Sequence, residues 1–159
     1  MRRKKKEKGC IFCRVNRPQG HGLASSRQSQ KGASADYLIF KTPLSIVMLN
    51  IYPYNNGHLL ISPLRHVRDI SQLNDDEMLD LFKCLARAKK LLRKVLKPQG
   101  YNIGLNLEHF GGAGITGHLH LHIVPRWSGD TNFMPVISDT RIISQSLRQL
   151  VKRLKNADK

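Results

Sequence analysis

The most regular pattern of polar and apolar positions lies between residues 117 and 127. Histidine stands at every second position, and leucine or isoleucine fills positions 119, 121 and 123. A period of two is typical of a β-strand, whose successive side chains leave opposite faces. We therefore expect one face of this strand to join a core and the other to carry a row formed by His118, His120 and His122.

Apolar runs elsewhere predict four more strands and two helices. The strands are expected at residues 37–41, 44–50, 58–62 and 101–107. A long helix should begin after Asn74, because Asn74 is a good N-cap and Glu77 completes a capping box, and it should stop before Pro98. Its apolar face is expected to contain Met78, Leu81, Phe82, Leu85, Ala88, Leu92 and Val95. With a basic amphipathic helix at 143–154, this order indicates an α+β fold: an antiparallel five-stranded sheet with one long helix and a C-terminal helix.

Composition divides the chain into a basic arm and one domain. Residues 1–9 are rich in arginine and lysine and should be disordered. Residues 10–159 suffice for a single domain, with a flexible loop at 16–35 where glycine, serine and glutamine are frequent. No apolar run approaches the ~18 residues that cross a bilayer, and no apolar stretch follows the basic start. We therefore expect a cytoplasmic protein without a membrane partner.

The charge balance favours an anionic ligand. The chain has 27 Lys and Arg against 11 Asp and Glu, a formal net charge of +16. Such a balance attracts nucleotides, polyphosphates and nucleic acid. The basic residues are spread along the chain, and no aromatic-rich strand offers a surface on which bases could stack. We therefore expect a nucleotide ligand, with nucleic acid as the less favoured partner.

The row of histidines is typical of a reaction site. Imidazole titrates near neutral pH, attacks phosphorus and binds metals. The alternative is a polar strand face that happens to be rich in histidine. The other four of the seven histidines are not clustered, so a bias in composition does not account for the row.

Residues 118–124 match the pattern His-φ-His-φ-His-φ-φ, where φ is apolar, and so resemble the signature of the histidine triad family. Residues 10–13, 57–63 and 101–106 also resemble family segments, in the family's order. The resemblance extends over residues 10–137. It implies the family's fold, a nucleotidyl hydrolase or transferase that acts at the α-phosphate of nucleotides, and usually a homodimer.

By position in the motif, the resemblance assigns His120 as the nucleophile that forms a covalent nucleotidyl-histidine. Its other ring nitrogen must carry the proton and donate it in a hydrogen bond to an acceptor, which in the family is a backbone carbonyl. His122 would contact phosphate oxygens or protonate the leaving group. His118 completes the catalytic row. The expected nucleotide-binding residues are Asn50, Asn106, Gly114, Ile115, Thr116, His120 and His122.

Asn50 stands where many family members have an aspartate for the ribose hydroxyls, and Asn106 matches a family asparagine that binds phosphate. Either could instead be a strand-end residue that bonds its own backbone. The glycine-rich turn at 111–117 can present backbone N–H groups to phosphate oxygens.

The chain departs from the hydrolase branches of the family at one point. Those branches tend to have Gln-Ser before the triad, where this chain has Gly114 and Ile115. Residues 50–58 and 125–136 instead resemble the diadenosine-tetraphosphate phosphorylase branch. In that branch inorganic phosphate, and not water, takes the nucleotidyl group.

Two of the three cysteines form a Cys-x-x-Cys pair, Cys10 and Cys13. In a reducing compartment this spacing favours metal binding or redox chemistry over a structural disulfide. Cys84 lies on the apolar face of the long helix and should be a small core residue.

The zinc-binding members of the family imply that His66 and His118 join the cysteine pair in a Cys₂His₂ site. Its zinc would be structural and would not perform the chemistry. The cysteines could also be a thiol pair without metal, or His58 or His109 could replace His66. Without a metal, His118 would orient its neighbours through hydrogen bonds.

The sequence therefore predicts an enzyme that cleaves a substrate such as diadenosine tetraphosphate through His120, with a structural zinc and no organic cofactor. Two alternatives stay open. The protein could be a zinc-stabilised nucleotide- or nucleic-acid-binding protein, or it could remove adenylate from nucleic-acid ends.

Overall fold

In the computed structural model, a five-stranded antiparallel sheet is the framework of the chain. Its strands are β1 (Leu38–Lys41), β2 (Ser45–Leu49), β3 (Leu59–Pro63), β4 (Gly100–Leu105) and β5 (Leu121–Arg126). They lie in the order β1-β2-β3-β5-β4, and every neighbouring pair is antiparallel. The predicted fold class is therefore confirmed.

The structure describes residues 9–16, 35–108, 110–111, 117–130 and 145–159. Within these ranges the α-helices are α1 (Ile11–Asn16), α2 (Asp75–Leu96) and α3 (Leu147–Ala157). None of the described helices is both long enough and apolar enough to span a bilayer. The basic arm before Gly9 and the interior of the 16–35 loop lie outside the described residues, so the predictions made for them stay predictions.

Helix α2 begins as predicted. The side chain of Asn74 accepts the N–H of Glu77, and the Glu77 carboxylate accepts the N–H of Asn74. The helix ends at Leu96 because Lys97 adopts a left-handed conformation, with φ of 49°. Met78 and Phe82 depart from the predicted apolar face, since they are 36% and 63% exposed; Phe82 departs further. It follows buried Leu81 and is turned about 100° away from it around the helix axis.

The sheet separates two apolar clusters. The larger one joins inner residues of the strands to α2 and α3, and it includes Leu119, Leu121, Ile123 and the predicted core residue Cys84. The smaller one lies on the opposite face, where Phe12 of α1 packs on residues of β2 and β3. The predicted alternation is therefore confirmed: the apolar residues between the histidines enter the larger core, and the histidines face the other side.

Candidate active site and metal-binding group

The three triad histidines are buried beside one another at the start of β5. Only His122 lies within β5, while His118 and His120 belong to the segment just before it. In that segment the backbone N–H of Leu119 donates a hydrogen bond to the carbonyl of Val67. The exposed fractions are 1% for His118, 4% for His120 and 9% for His122. Burial of this degree requires a polar partner for most ring nitrogens.

His120 is held in one tautomer by its own chain. Its Nδ1 lies 2.8 Å from the carbonyl oxygen of His118. Because a carbonyl only accepts, the proton of a neutral His120 ring is on Nδ1. The lone pair is then on Nε2, which is the atom that a nucleophilic imidazole needs.

His122 is fixed by His58, which sequence analysis had considered only as a metal ligand. Nδ1 of His58 accepts the backbone N–H of Tyr54 at 3.1 Å, and Nε2 of His58 lies 2.8 Å from Nδ1 of His122. His58 therefore carries its proton on Nε2 and donates it to His122. The proton of neutral His122 must then be on Nε2. That buried atom has no hydrogen-bond partner among the described residues, so it is a donor available to a ligand.

The environment keeps the triad rings neutral. Burial lowers the pKa of His118 and of His120. Burial, and to a lesser extent the neighbouring His120, lowers the pKa of His122 to about 4. A neutral ring keeps one lone pair, and both nucleophilic attack and metal binding require that lone pair.

The predicted metal ligands come together. The ligand atoms of Cys10, Cys13, His66 and His118 all lie within 4.8 Å of one another. Nδ1 of His118 is 3.2 Å from Sγ of Cys10 and 3.6 Å from Sγ of Cys13, and Nδ1 of His66 is 3.1 Å from Sγ of Cys13. Sulfur and nitrogen ligands on one tetrahedral zinc are about 3.6 Å apart, so the group could hold such an ion.

The tautomer of His118 suits this group. Its Nε2 lies 2.9 Å from the carbonyl oxygen of Pro63, so the ring proton is on Nε2 and the lone pair of Nδ1 faces the cysteines. His58 is not part of the group, because its Nε2 is bonded to His122. His109, the other alternative ligand, lies outside the described residues.

Phe12 connects the metal-binding group with the nucleophile. It lies on α1, between Cys10 and Cys13 in the sequence, and is 1% exposed. The centroid of its ring is 5.2 Å from that of His118 and 5.4 Å from that of His120. Helix α1 was not predicted, because six residues give too short a pattern to distinguish a helix from a loop.

The predicted nucleotide contacts are only partly described. Asn50 is half-buried after β2, where its Oδ1 accepts the N–H of Tyr52 and its Nδ2 lies 3.2 Å from Nδ1 of His58. Asn50 thus bonds its own turn, which is the alternative role considered for it from the sequence. Its amide also contacts His58, which is hydrogen-bonded to His122. Asn106 directly follows the Leu105–Leu121 pair of β4 and β5 and is half-buried. Residues 114–116 lie outside the described residues.

Sequence analysis also missed Tyr54. Its ring centroid is 4.9 Å from that of His58 and 6.0 Å from that of His122, where the two rings are stacked, and Tyr54 is 52% exposed. The signal that the sequence offered for this pair of rings was the position of His58 immediately before β3. The register that brings β3 against β5, with Leu60 opposite His122, cannot be read from the sequence.

The lowered pKa of His122 predicts how stability depends on pH. Between its unfolded pKa near 6.5 and its folded pKa of about 4, the unfolded chain binds the proton and the folded chain does not. The free energy of unfolding should therefore fall as the pH falls through this window. We expect wild type to lose about 2–3 kcal/mol more than His122→Asn between pH 7 and pH 4.5, measured by urea denaturation. Equal losses would contradict the neutral, buried imidazole.

Comparison with known proteins agrees with this geometry. Residues 31–129 match the family model described as HIT domain. AP-4-A phosphorylase of Mycobacterium tuberculosis is 40% identical over 111 residues, which are 70% of this chain and 57% of that protein. The asymmetrical bis(5'-nucleosyl)-tetraphosphatase of Schizosaccharomyces pombe is 31% identical over 93 residues, 58% of this chain and 50% of that protein. The chain thus spans about half the length of these curated relatives.

A solved structure shows the same fold. The crystal structure of a Zn-bound histidine triad family protein from Mycobacterium smegmatis has a TM-score of 0.65 at 21% sequence identity, and the match covers 94% of this chain and 92% of that one. The family model covers more than half of the chain, and the matched residues include the buried histidine row. The chain therefore belongs to the histidine triad (HIT) family.

Proposed function

We propose that the chain is a nucleotidyl transferase that cleaves diadenosine tetraphosphate, or a related dinucleoside polyphosphate, at an α-phosphorus. The observation that carries the proposal is the pair of fixed tautomers: a lone pair on Nε2 of His120 and a proton on Nε2 of His122. The two ring centroids are 4.9 Å apart. One ring can attack phosphorus while the other donates to an oxygen of the same substrate.

The chemistry then has two balanced steps. In the first, Nε2 of His120 bonds to the α-phosphorus, the bond from that phosphorus to the bridging oxygen breaks, and ATP leaves. The ring becomes cationic, and the carbonyl of His118 stabilises its Nδ1 proton. In the second, an oxygen of the acceptor attacks the phosphorus, the phosphorus–nitrogen bond breaks, and His120 returns to its neutral state.

The proposed acceptor is inorganic phosphate, which turns the adenylyl group into ADP; water would give AMP. Residues 50–58 and 125–136 support this choice, since they resemble the phosphorylase branch. The AP-4-A phosphorylase of M. tuberculosis, at 40% identity, supports it further. His122 would serve either acceptor, because its Nε2 proton can bond any phosphate oxygen.

We propose that zinc is the metal of the Cys10, Cys13, His66 and His118 group. Two thiolates and two imidazoles form a closed set for structural zinc and leave no position for substrate. When bound, the ion supplies a cross-link between α1, the loop after β3 and the triad segment. Thiolate ligands persist in a reducing compartment, so a cytoplasmic location is part of the proposal.

We also propose a homodimer in which two copies of β4 pair. β4 is an edge strand, and edge strands offer unpaired backbone groups to a second chain. Ile103 at its centre is 48% exposed. Phe82 lies two helical turns before Lys89, which contacts Tyr101 of β4, so the exposed Phe82 ring borders the same edge. In a dimer with a two-fold axis beside β4, the second chain would cover both apolar side chains.

Turnover tests the reaction. With diadenosine tetraphosphate, wild type should yield ADP plus ATP only when inorganic phosphate is present, and His120→Asn should lower kcat by about 10³-fold or more, because the nucleophile is missing. Products are separated by ion-exchange chromatography. AMP plus ATP without phosphate would make water the acceptor. Turnover that survives in His120→Asn would refute the covalent route.

Metal content tests the zinc group. Elemental analysis by mass spectrometry should find about one zinc per wild-type chain and far less in Cys13→Ser and His66→Asn, since three ligands hold zinc more weakly than four. His58→Gln is the matched control and should keep its zinc, because His58 bonds His122. A chelator should lower the Tm of wild type and of His58→Gln. Zinc loss in His58→Gln alone would overturn the ligand set.

Oligomeric state tests the edge-strand dimer. Wild type should have the mass of a dimer in size-exclusion chromatography with light scattering, and Ile103→Glu should shift it to the monomer, because burying two unpaired carboxylates is costly. Leu44→Glu changes a residue that is 36% exposed near the opposite edge and should leave the dimer intact. A dimer that persists in Ile103→Glu would exclude pairing through β4.

A further inference from the structure

Basic side chains form two rows on the helices that cover one face of the sheet. On α2 they recur every three or four residues, and on α3 they do the same, so each row lies on one side of its helix. All of them are exposed. We call these two rows the basic helical face, which consists of Lys83, Arg87, Lys90, Lys94, Arg148, Lys152 and Lys155.

The two rows lie on neighbouring, antiparallel helices. Arg87 of α2 pairs with Asp158 after α3 at 2.8 Å, Nζ of Lys94 bonds the carbonyl of Ala157 at 3.2 Å, and Arg153 of α3 bonds the carbonyl of Val95 at 2.8 Å. Both helices pack on the same face of the sheet, so the two exposed rows lie on the outer side of one helical layer. Folding thus gathers charges that the sequence spreads over more than seventy positions.

Within the two helices few acidic residues offset this charge, although the exposed Asp36 lies on the segment Ala35–Tyr37 that packs against α3. The sequence has none between Asp80 and Glu108 or from position 140 to 157, and Asp158 is already paired with Arg87. Like charges three or four positions apart on a helix repel one another and destabilise it. The basic helical face therefore costs stability in the free protein, and an anionic partner would recover it.

We propose that the basic helical face binds the phosphodiester backbone of a nucleic-acid duplex. The exposed side chains of α2 from Lys83 onward, and those of α3, are lysine, arginine, alanine, glutamine or asparagine. From Lys83 onward this surface has no exposed aromatic ring to stack unpaired bases and no exposed apolar side chain to insert into a membrane; the exposed Leu79 and Phe82 lie at its N-terminal end. The α2 row is about 16 Å long, which matches about five base pairs.

This partner is separate from the proposed nucleotide substrate. The helices cover the face of the sheet that carries the larger core, while the histidine row lies on the opposite face beside Phe12. A duplex bound on the basic helical face would leave the triad open. The active site could then act on small nucleotides while the protein is attached to nucleic acid.

Salt-dependent binding tests the proposal. The probe is a fluorescein-labelled 20-base-pair DNA duplex, followed by anisotropy between about 50 and 200 mM NaCl. Lys83→Gln/Lys90→Gln/Lys152→Gln should weaken binding at least tenfold at the lowest salt and reduce the slope of log K against log salt by about 2–3, since each lost phosphate contact removes about 0.9. The matched control, Lys41→Gln/Arg68→Gln/Lys89→Gln, removes the same charge from exposed positions outside the face and should keep the wild-type slope.

Two further arms separate this proposal from the proposed function. His120→Asn should bind the duplex as wild type does, and the face variant should turn over diadenosine tetraphosphate within about twofold of wild type. If both triple variants bound the duplex equally more weakly, binding would depend on net charge alone, and the proposal would be overturned. Preferential binding to phosphatidylserine vesicles, or to a single strand of the same length, would overturn it as well.

Discussion

The burial of three imidazoles in one short segment is the constraint on which the site depends. A buried neutral imidazole has a defined tautomer when a hydrogen bond fixes the proton on one of its two ring nitrogens. The carbonyl oxygens of Pro63 and His118 accept hydrogen bonds from the ring N–H groups of His118 and His120, and His58 donates one to His122. Every partner comes from the folded framework, so the tautomers are set before any ligand arrives. This preorganisation is what electrostatic catalysis requires.

His118 makes the metal-binding group and the nucleophile one unit. Its ring faces the cysteines, and its carbonyl holds His120. Helix α1 adds a second connection, because it carries Cys13, directly follows Cys10, and places Phe12 against the rings of His118 and His120. A change that loosens α1 would therefore act on the nucleophile twice, through its packing and through the backbone that fixes its tautomer. A structural metal at this place would support catalysis without touching the substrate.

Sequence analysis succeeded where the pattern is local and failed where it depends on packing. The alternation around His120, the capping box of α2 and the spacing of Cys10 and Cys13 are short-range signals, and the structure agrees with each. The link from His58 to His122 depends on the register of β3 against β5, which no local pattern encodes. The basic helical face likewise exists only because α3 packs beside α2, although its rows are far apart in the chain. Residues 112–116 of the glycine-rich turn lie outside the described residues, so the phosphate contacts expected of that turn stay a prediction.

While no substrate is bound, the positive charge of the chain and the burial of its triad histidines both lower the pKa of these rings. A net charge of +16 and a desolvated environment both favour the neutral ring, which keeps the lone pair of His120 available for attack. The same positive field attracts a polyphosphate. Once its oxygens lie near Nε2 of His122, their negative charge opposes the effect of burial and raises the pKa of that ring from about 4. The ring would then take up a second proton more readily, and the resulting imidazolium could pass a proton to an oxygen of the substrate. The free protein thus favours a nucleophile, and the bound substrate itself adds the conditions for a proton donor beside it.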